Sequence, residues 1–176
     1  MNNEDQESQN LLTTLTSRID AASSVKELRT LLAEVERNRE QLEFGEANEL
    51  ARNVFRSIAN LTSELPDVAS AVIRDNLLPW CLSIDPQGES SEAAVERYRL
   101  RQLLKEWIYA YPHDEMMKVR SSILKEVRQQ LESTPSKELL WVISTIGFRT
   151  AELTELLWPL LDEDGDLADV ALSTLS

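Results

Sequence analysis

Two stretches decide the fold of this chain: Ser57–Ile84, SIANLTSELPDVASAVIRDNLLPWCLSI, and Leu139–Leu161, LLWVISTIGFRTAELTELLWPLL. Each has an apolar helical pattern, a turn, and a second helical pattern that carries Leu-Leu-Pro or Leu-Leu-Trp-Pro. The prolines of these elements, Pro79 and Pro159, lie 80 residues apart, which is two periods of about 40. Helical repeats of this length bury their apolar faces only by stacking on neighbouring repeats. The sequence therefore predicts one stacked helical array.

Composition supports an all-α fold. The chain has 176 residues, with four glycines and six prolines, too few for a sandwich or barrel that turns every ten residues or so. We predict about eight to ten helices in a single domain over residues 10–176. Residues 1–9 are polar and acidic and are expected to be a disordered tail. The four tryptophans, Trp80, Trp107, Trp141 and Trp158, are expected to anchor the core.

Helix boundaries follow from capping and breaking residues. Ser24 and Glu27 have the spacing of a capping box, and Gly45 is expected to end the helix that they begin. A break is expected at Asp75-Asn76, because Asn tolerates the left-handed conformation. The predicted helices span residues 10–22, 24–45, 46–65, 66–74, 77–84, 92–111, 114–132, 139–148 and 152–161, with a last one from 167. That last helix lacks a polar finishing face, so an N-terminal fragment of a longer solenoid is expected.

The charge is strongly acidic and uneven. Lys and Arg number 18 against 31 Asp and Glu, a net charge of −13, and residues 151–176 hold seven acidic residues and no Lys or Arg. Acidic chains are repelled by phosphate backbones, so nucleic-acid binding is not expected. Two interpretations of the charge stay open: solubility, or attraction of a basic partner segment to the acidic end.

Cysteine usage and the N-terminus indicate a cytoplasmic or nuclear protein. Cys81 is the only cysteine, so no intrachain disulfide can form. The first ten residues, MNNEDQESQN, do not resemble a signal peptide, and no apolar run is long enough to span a membrane. Cys81 lies between Trp80 and Leu82, which predicts a buried apolar residue rather than a nucleophile.

No pattern for catalysis or metal binding is found. Asp162–Asp166, DEDGD, fails as a calcium loop because the positions for the required Gly and Glu hold Leu167 and Ser173. His113 is the only histidine and has no nearby partner for a zinc site. No phosphate loop or Gly-x-Ser-x-Gly motif occurs. We predict a protein that is not an enzyme and has no cofactor.

Part of the chain, from about Ala47 to the end, resembles α-solenoid repeats. Ser57-Ile-Ala-Asn60-Leu-Thr, the short helix after it and Leu77-Leu-Pro79-Trp-Cys-Leu resemble an armadillo repeat boundary, with Asn76 where Gly is usual. The Leu139–Leu175 stretch is similar to a HEAT repeat, with Leu156-Leu-Trp-Pro-Leu-Leu-Asp162 followed by Asp166-Leu-Ala-Asp-Val-Ala-Leu. The resemblance implies a right-handed α-solenoid whose third helices line a concave face.

In peptide-binding armadillo proteins, a Trp and an Asn four residues later form ladders on that face. The resemblance places Trp141 at a Trp position with Thr145 where Asn would stand, and Asn60 at an Asn position with Arg56 where Trp would stand. Each pair is half complete. A receptor for nuclear-localisation segments is therefore not expected, whereas a groove that binds an extended segment by other chemistry stays open.

Helical spacing also predicts a basic stripe. Residues four apart share a helix face, so Arg97, Arg101 and Lys105 project together, as do Arg56 and Asn60. Such a face could attract an acidic segment. Alternatively these charges pair with neighbouring acidic residues, Glu64, Glu96 and Glu106.

Two functions follow as hypotheses. The first is a non-enzymatic scaffold or adaptor that binds an extended or helical protein segment through its concave face, and the predicted site comprises Arg56, Asn60, Arg97, Arg101, Lys105, Trp141 and Thr145. The alternative is an assembly or oligomerisation domain, in which residues 167–175 dock on another chain, another copy or the rest of the protein.

Overall fold

The computed structural model describes residues 3–84, 90–146, 154–155, 157–162 and 165–175. These residues contain helices and turns and no strand, which confirms the all-α prediction. They group into two compact units, Met1–Leu65 and Pro66–Ser176.

The first unit consists of three helices, each packed against the other two: α1 (Asn3–Ala21), α2 (Val25–Arg37) and α3 (Phe44–Leu61). A short 3-10 turn, Arg39–Gln41, follows α2. α1 begins seven residues before the predicted start and includes residues 3–9, for which composition predicted disorder. Apolar positions at helical spacing form the core of the unit: Leu15, Ile19, Leu28, Leu31, Leu32, Val35, Leu50, Val54, Phe55 and Ile58.

Capping interactions at the starts of α2 and α3 explain why one predicted helix boundary is confirmed and another is wrong. The Ser24 hydroxyl accepts from the Glu27 amide at 3.2 Å, as predicted, while the Glu27 carboxylate accepts from the Ser23 amide. Gly45 does not end α2, because it lies in the first turn of α3. A capping box formed by Glu43 and Glu46 starts α3 just before it, and a carboxylate at a helix N-terminus is favourable for the helix dipole.

The second unit begins with one helical segment, Pro66–Ser83, in three parts: α4 (Pro66–Val72), a π-helical turn (Ile73–Leu77) and α5 (Leu78–Ser83). The break predicted at Asp75-Asn76 is therefore wrong, since both residues lie inside the π-helical turn. Pro79 provides the physical reason: it has no amide hydrogen for the Asp75 carbonyl, and its ring would clash with that carbonyl in a regular α-helix. The wider turn accommodates the proline while Leu77, Leu78 and Trp80 stay buried.

Three longer helices follow: α6 (Ser91–Tyr109), α7 (His113–Ser133) and α8 (Lys137–Ile146), and each contacts the other two. α4 packs on α7, and α5 packs on α8. A 3-10 turn, Trp158–Asp162, and the last helix, α9 (Asp166–Leu175), pack against each other, and α9 also packs on α8. Gly165, at φ +91°, precedes α9. Parts of the predicted helices 139–148 and 152–161, and of the loop before α6, lie outside the described residues.

Candidate functional site

α6 and α8 are neighbours that run in the same direction. Arg101 of α6 contacts Trp141 of α8, and eight residues further on the Tyr109 hydroxyl donates to the Ile146 carbonyl at 3.2 Å. The second contact lies nearer the C-terminal end of both helices than the first, so α6 and α8 are parallel. The short connections 110–112 and 134–136 place α7 antiparallel to both, as is usual for helices joined by a few residues.

The centre of the candidate site is a cation–π contact. The Arg101 guanidinium carbon lies 4.6 Å from the centre of the Trp141 ring, and the Arg101 Nε donates to the Arg97 carbonyl at 3.3 Å. Both side chains are half-buried. Burial, and after it the nearby charge of Arg97, lowers the pKa of Arg101. A guanidinium over an aromatic ring retains N–H donors that can reach a carboxylate.

Three further side chains extend this centre along the two helices. Lys105 is exposed one turn after Arg101, and Thr145 follows Trp141, with its hydroxyl donating to the Trp141 carbonyl at 2.8 Å. Tyr109 is exposed at the end of α6, and the Arg120 guanidinium of α7 lies 5.8 Å from the centre of its ring. We call Arg101, Lys105, Tyr109, Trp141 and Thr145, together with Tyr98, the α6–α8 surface.

Tyr98 was not among the predicted site residues. It is 56% exposed on α6, three residues before Arg101 and on an exposed stripe with Val95 and Tyr109. The signal was in the spacing: positions 95, 98, 102, 105 and 109 follow the helical period on the face opposite the buried residues.

Arg97 departs from the predicted basic stripe. It is 4% exposed, and its Nη1 donates to the Ile84 carbonyl at 3.4 Å. Four residues turn an α-helix about 40° beyond a full turn, so a stripe at this spacing drifts around the helix. Arg97 is therefore buried, Arg101 is half-buried and Lys105 is exposed. Glu96, also buried, has its carboxylate 3.7 Å from Arg99.

The other two predicted site residues lie in the first unit. Arg56 and Asn60 are exposed on α3, and the Arg56 Nη1 donates to the Asn53 side-chain oxygen at 3.3 Å. Their association with a groove stays a prediction.

Cys81 lies near the α6–α8 surface but inside the core. Its burial raises the pKa of the thiol to about 12, although the nearby Arg101 charge acts in the opposite direction. The thiol is therefore neutral at physiological pH and unsuited to nucleophilic attack.

A cavity of about 600 Å³ opens among α5, α7 and α8. Leu82 and Leu139 line it together with amide and hydroxyl side chains. Two of the polar side chains hydrogen-bond within their own segment: Ser133 donates to the Gln129 carbonyl and Gln130 donates to Glu126. Among the described residues that line this cavity none is charged, so they offer little to orient a charged ligand.

Two features are absent from the described part of the chain. It holds no cluster of three or more His, Cys, Asp or Glu side chains that could bind a metal ion. None of its helices combines the length and apolar character required to cross a bilayer.

Comparisons with protein-family models, with curated proteins and with solved structures gave no match to this chain.

Proposed function

We propose that the second unit is a protein-binding module that recognises an acidic segment of a partner through the α6–α8 surface. The observation that carries this proposal is the position of the Arg101 guanidinium on the Trp141 ring. The contact restricts the arginine before a partner arrives, so less conformational entropy is lost on binding.

The composition of the surface supports a protein ligand. Trp, Tyr and Arg are the residues most enriched at binding hot spots, and the α6–α8 surface combines Arg101 and Trp141 with the exposed Tyr98 and Tyr109. A patch with exposed aromatic rings and oriented donors, rather than a nucleophile beside a base, is suited to recognition and not to catalysis.

The charges support an acidic ligand. Arg101 and Lys105 provide two cations one helical turn apart on the α6–α8 surface. In a chain of net charge −13, such a local cationic site would orient a partner more than it would add affinity.

The helix arrangement of the second unit supports an armadillo- or HEAT-like solenoid as the finer fold. In such arrays, equivalent helices of successive repeats lie side by side and run in the same direction. α6 and α8 have this relationship, with α7 antiparallel between them in sequence. We propose that they are equivalent helices of successive repeats and that their shared face is the concave one.

A random linear peptide library tests this function without knowledge of the partner. Peptides selected on the whole chain should be enriched in Asp and Glu, and their binding should weaken with added salt. Arg101→Gln and Lys105→Gln should each weaken binding by about tenfold, because each removes a charged contact.

Arg128→Gln is the matched control. It removes the same charge from α7, where Arg128 makes an exposed ion pair with Glu132 at 3.2 Å, and it should leave the affinity unchanged. Equal binding by wild type and Arg101→Gln, with helicity intact in circular dichroism, would exclude the α6–α8 surface as the site.

A further inference from the structure

The C-terminal end of the second unit exposes large apolar side chains. Trp158, in the 3-10 turn, is 64% exposed, and Leu172, in α9, is 57% exposed. In contrast, Trp80 and Trp107 of the same unit are almost fully buried. The prediction that Trp158 anchors the core is therefore wrong. Because the 3-10 turn and α9 pack against each other, these exposed side chains belong to adjacent elements.

The charged residues of the C-terminal segment, 151–176, all have the same sign. Glu155, Asp162 and Asp169 are exposed, and no Lys or Arg occurs anywhere in residues 151–176. Asp169 and Leu172 are three residues apart on the solvent face of α9, whereas Ala171 faces inward. These neighbouring elements therefore expose both apolar and acidic side chains. We call Glu155, Trp158, Pro159, Asp162, Asp169 and Leu172 the C-terminal surface.

We infer that the C-terminal surface binds a basic amphipathic helix of a partner protein. An apolar stripe of that helix would cover Trp158 and Leu172, and its flanking Lys and Arg would face the carboxylates. Burial of a tryptophan and a leucine provides the affinity, and the acidic rim provides the selectivity for a basic partner.

The charge argues against other occupants. A second copy of the same surface would bring its carboxylates against these carboxylates, with no Lys or Arg in the segment to pair with them. Anionic lipid and nucleic acid would be repelled in the same way. The proposal is independent of the α6–α8 surface, which uses cations and a different pair of helices.

Fluorescence titration with a defined probe tests the proposal. The probe is a synthetic helical peptide with Leu on one stripe and Lys on the remaining positions, and its control has the same composition in an order that destroys the stripe. With the whole chain, the striped peptide should shift the tryptophan emission to the blue and reduce iodide quenching, because Trp158 becomes buried. The scrambled peptide should bind at least about tenfold more weakly.

Variants locate the contact, with affinity measured from the fluorescence anisotropy of a dye-labelled peptide, because Trp158→Ala removes the tryptophan that reports binding. Trp158→Ala and Leu172→Ser should each weaken binding of the striped peptide by about tenfold, and Asp162→Asn with Asp169→Asn should weaken it by several-fold. Arg101→Gln should bind the striped peptide as wild type does. The proposals for the α6–α8 surface and for the C-terminal surface can therefore fail independently of each other.

Three results would overturn the proposal. Equal affinity of the striped and scrambled peptides would mean attraction by charge alone. Unchanged affinity in both Trp158→Ala and Leu172→Ser, with native helicity, would place the contact elsewhere. Self-association in sedimentation of the chain alone, lost in Leu172→Ser, would identify a second copy as the occupant.

Discussion

Arg101 and Trp141 lie 40 residues apart in the sequence, and the guanidinium of one lies 4.6 Å from the ring centre of the other. The contact joins α6 to α8, with the whole of α7 between them in the chain. It links the helices at a half-buried position where a ligand can also reach. The same pair is therefore expected to contribute to both stability and recognition.

A double-mutant cycle measures the stabilising part. We expect Arg101→Gln and Trp141→Leu to be coupled by about 0.5–1 kcal/mol in the free energy of unfolding by urea, the usual range for a partly exposed cation–π contact. The same cycle with Arg128→Gln in place of Arg101→Gln should be additive, because Arg128 belongs to another pair. A coupling energy of zero between Arg101 and Trp141 would contradict the contact.

Trp107 and Trp158 should respond very differently to the same change. Trp107 is 3% exposed, so Trp107→Ala is expected to lower the free energy of unfolding by about 3–5 kcal/mol through lost burial and a cavity. Trp158→Ala should change it by less than about 0.5 kcal/mol, because the side chain is already in water. Urea unfolding of the two variants gives the comparison. A large loss of stability in Trp158→Ala would show that the residue is part of the core.

Two glycines provide a second matched pair. Gly45 lies inside α3 at an ordinary φ, and an added Cβ would meet nothing within 4 Å, so Gly45→Ala should raise the free energy of unfolding by about 0.5 kcal/mol. Gly165 has equal space but a φ of +91°, so Gly165→Ala should lower it by about 1 kcal/mol. Thermal melts of both variants test the signs. A change in melting temperature of the same sign in both variants would contradict an ordinary φ at Gly45 together with a positive φ at Gly165.

Sequence patterns predicted the features that depend on local chemistry. The helical period gave the all-α class and the buried stripes, and the Ser24 cap appeared at the predicted residue. The predictions that Gly45 ends α2 and that the helix breaks at Asp75-Asn76 were wrong, because a competing local signal lies near each of these positions. Glu43 and Glu46 start α3 before the glycine can end α2, and Pro79 widens the helix instead of breaking it.

The candidate site was less accessible to sequence reasoning, because it depends on how helices pack. Spacing of four placed Arg97, Arg101 and Lys105 on one face, but it did not say which of them the core would cover. Composition also could not separate Trp107 from Trp158, since both follow apolar patterns and only packing decides which is covered. The contact of Arg101 with Trp141 joins two predicted site residues through the packing of α6 on α8.

Chemical labelling of Cys81 reports on the packing beside Arg101. The thiolate is the reactive form, and burial raises the pKa of this thiol to about 12. At pH about 8 we expect a disulfide reagent to modify the native chain at least about 100-fold more slowly than the urea-unfolded chain. Cys81 is the only cysteine, so the signal has one source. Comparable rates in native and unfolded chains would mean that the thiol is accessible.

The same thiol predicts a pH dependence of stability. The pKa of Cys81 is raised from its ordinary value of 9.0 to about 12, so above the lower value the unfolded chain releases this proton while the folded chain retains it. The contribution of Cys81 is thus fully present below pH 9.0 and is lost progressively as the pH rises toward 12. Urea unfolding over this range should show a steeper decline for wild type than for Cys81→Ala, which shares every other titrating group. Lysines and tyrosines contribute equally in both chains, so any difference in slope comes from Cys81. An equal decline of the free energy of unfolding with pH in wild type and Cys81→Ala would contradict a buried, neutral thiol.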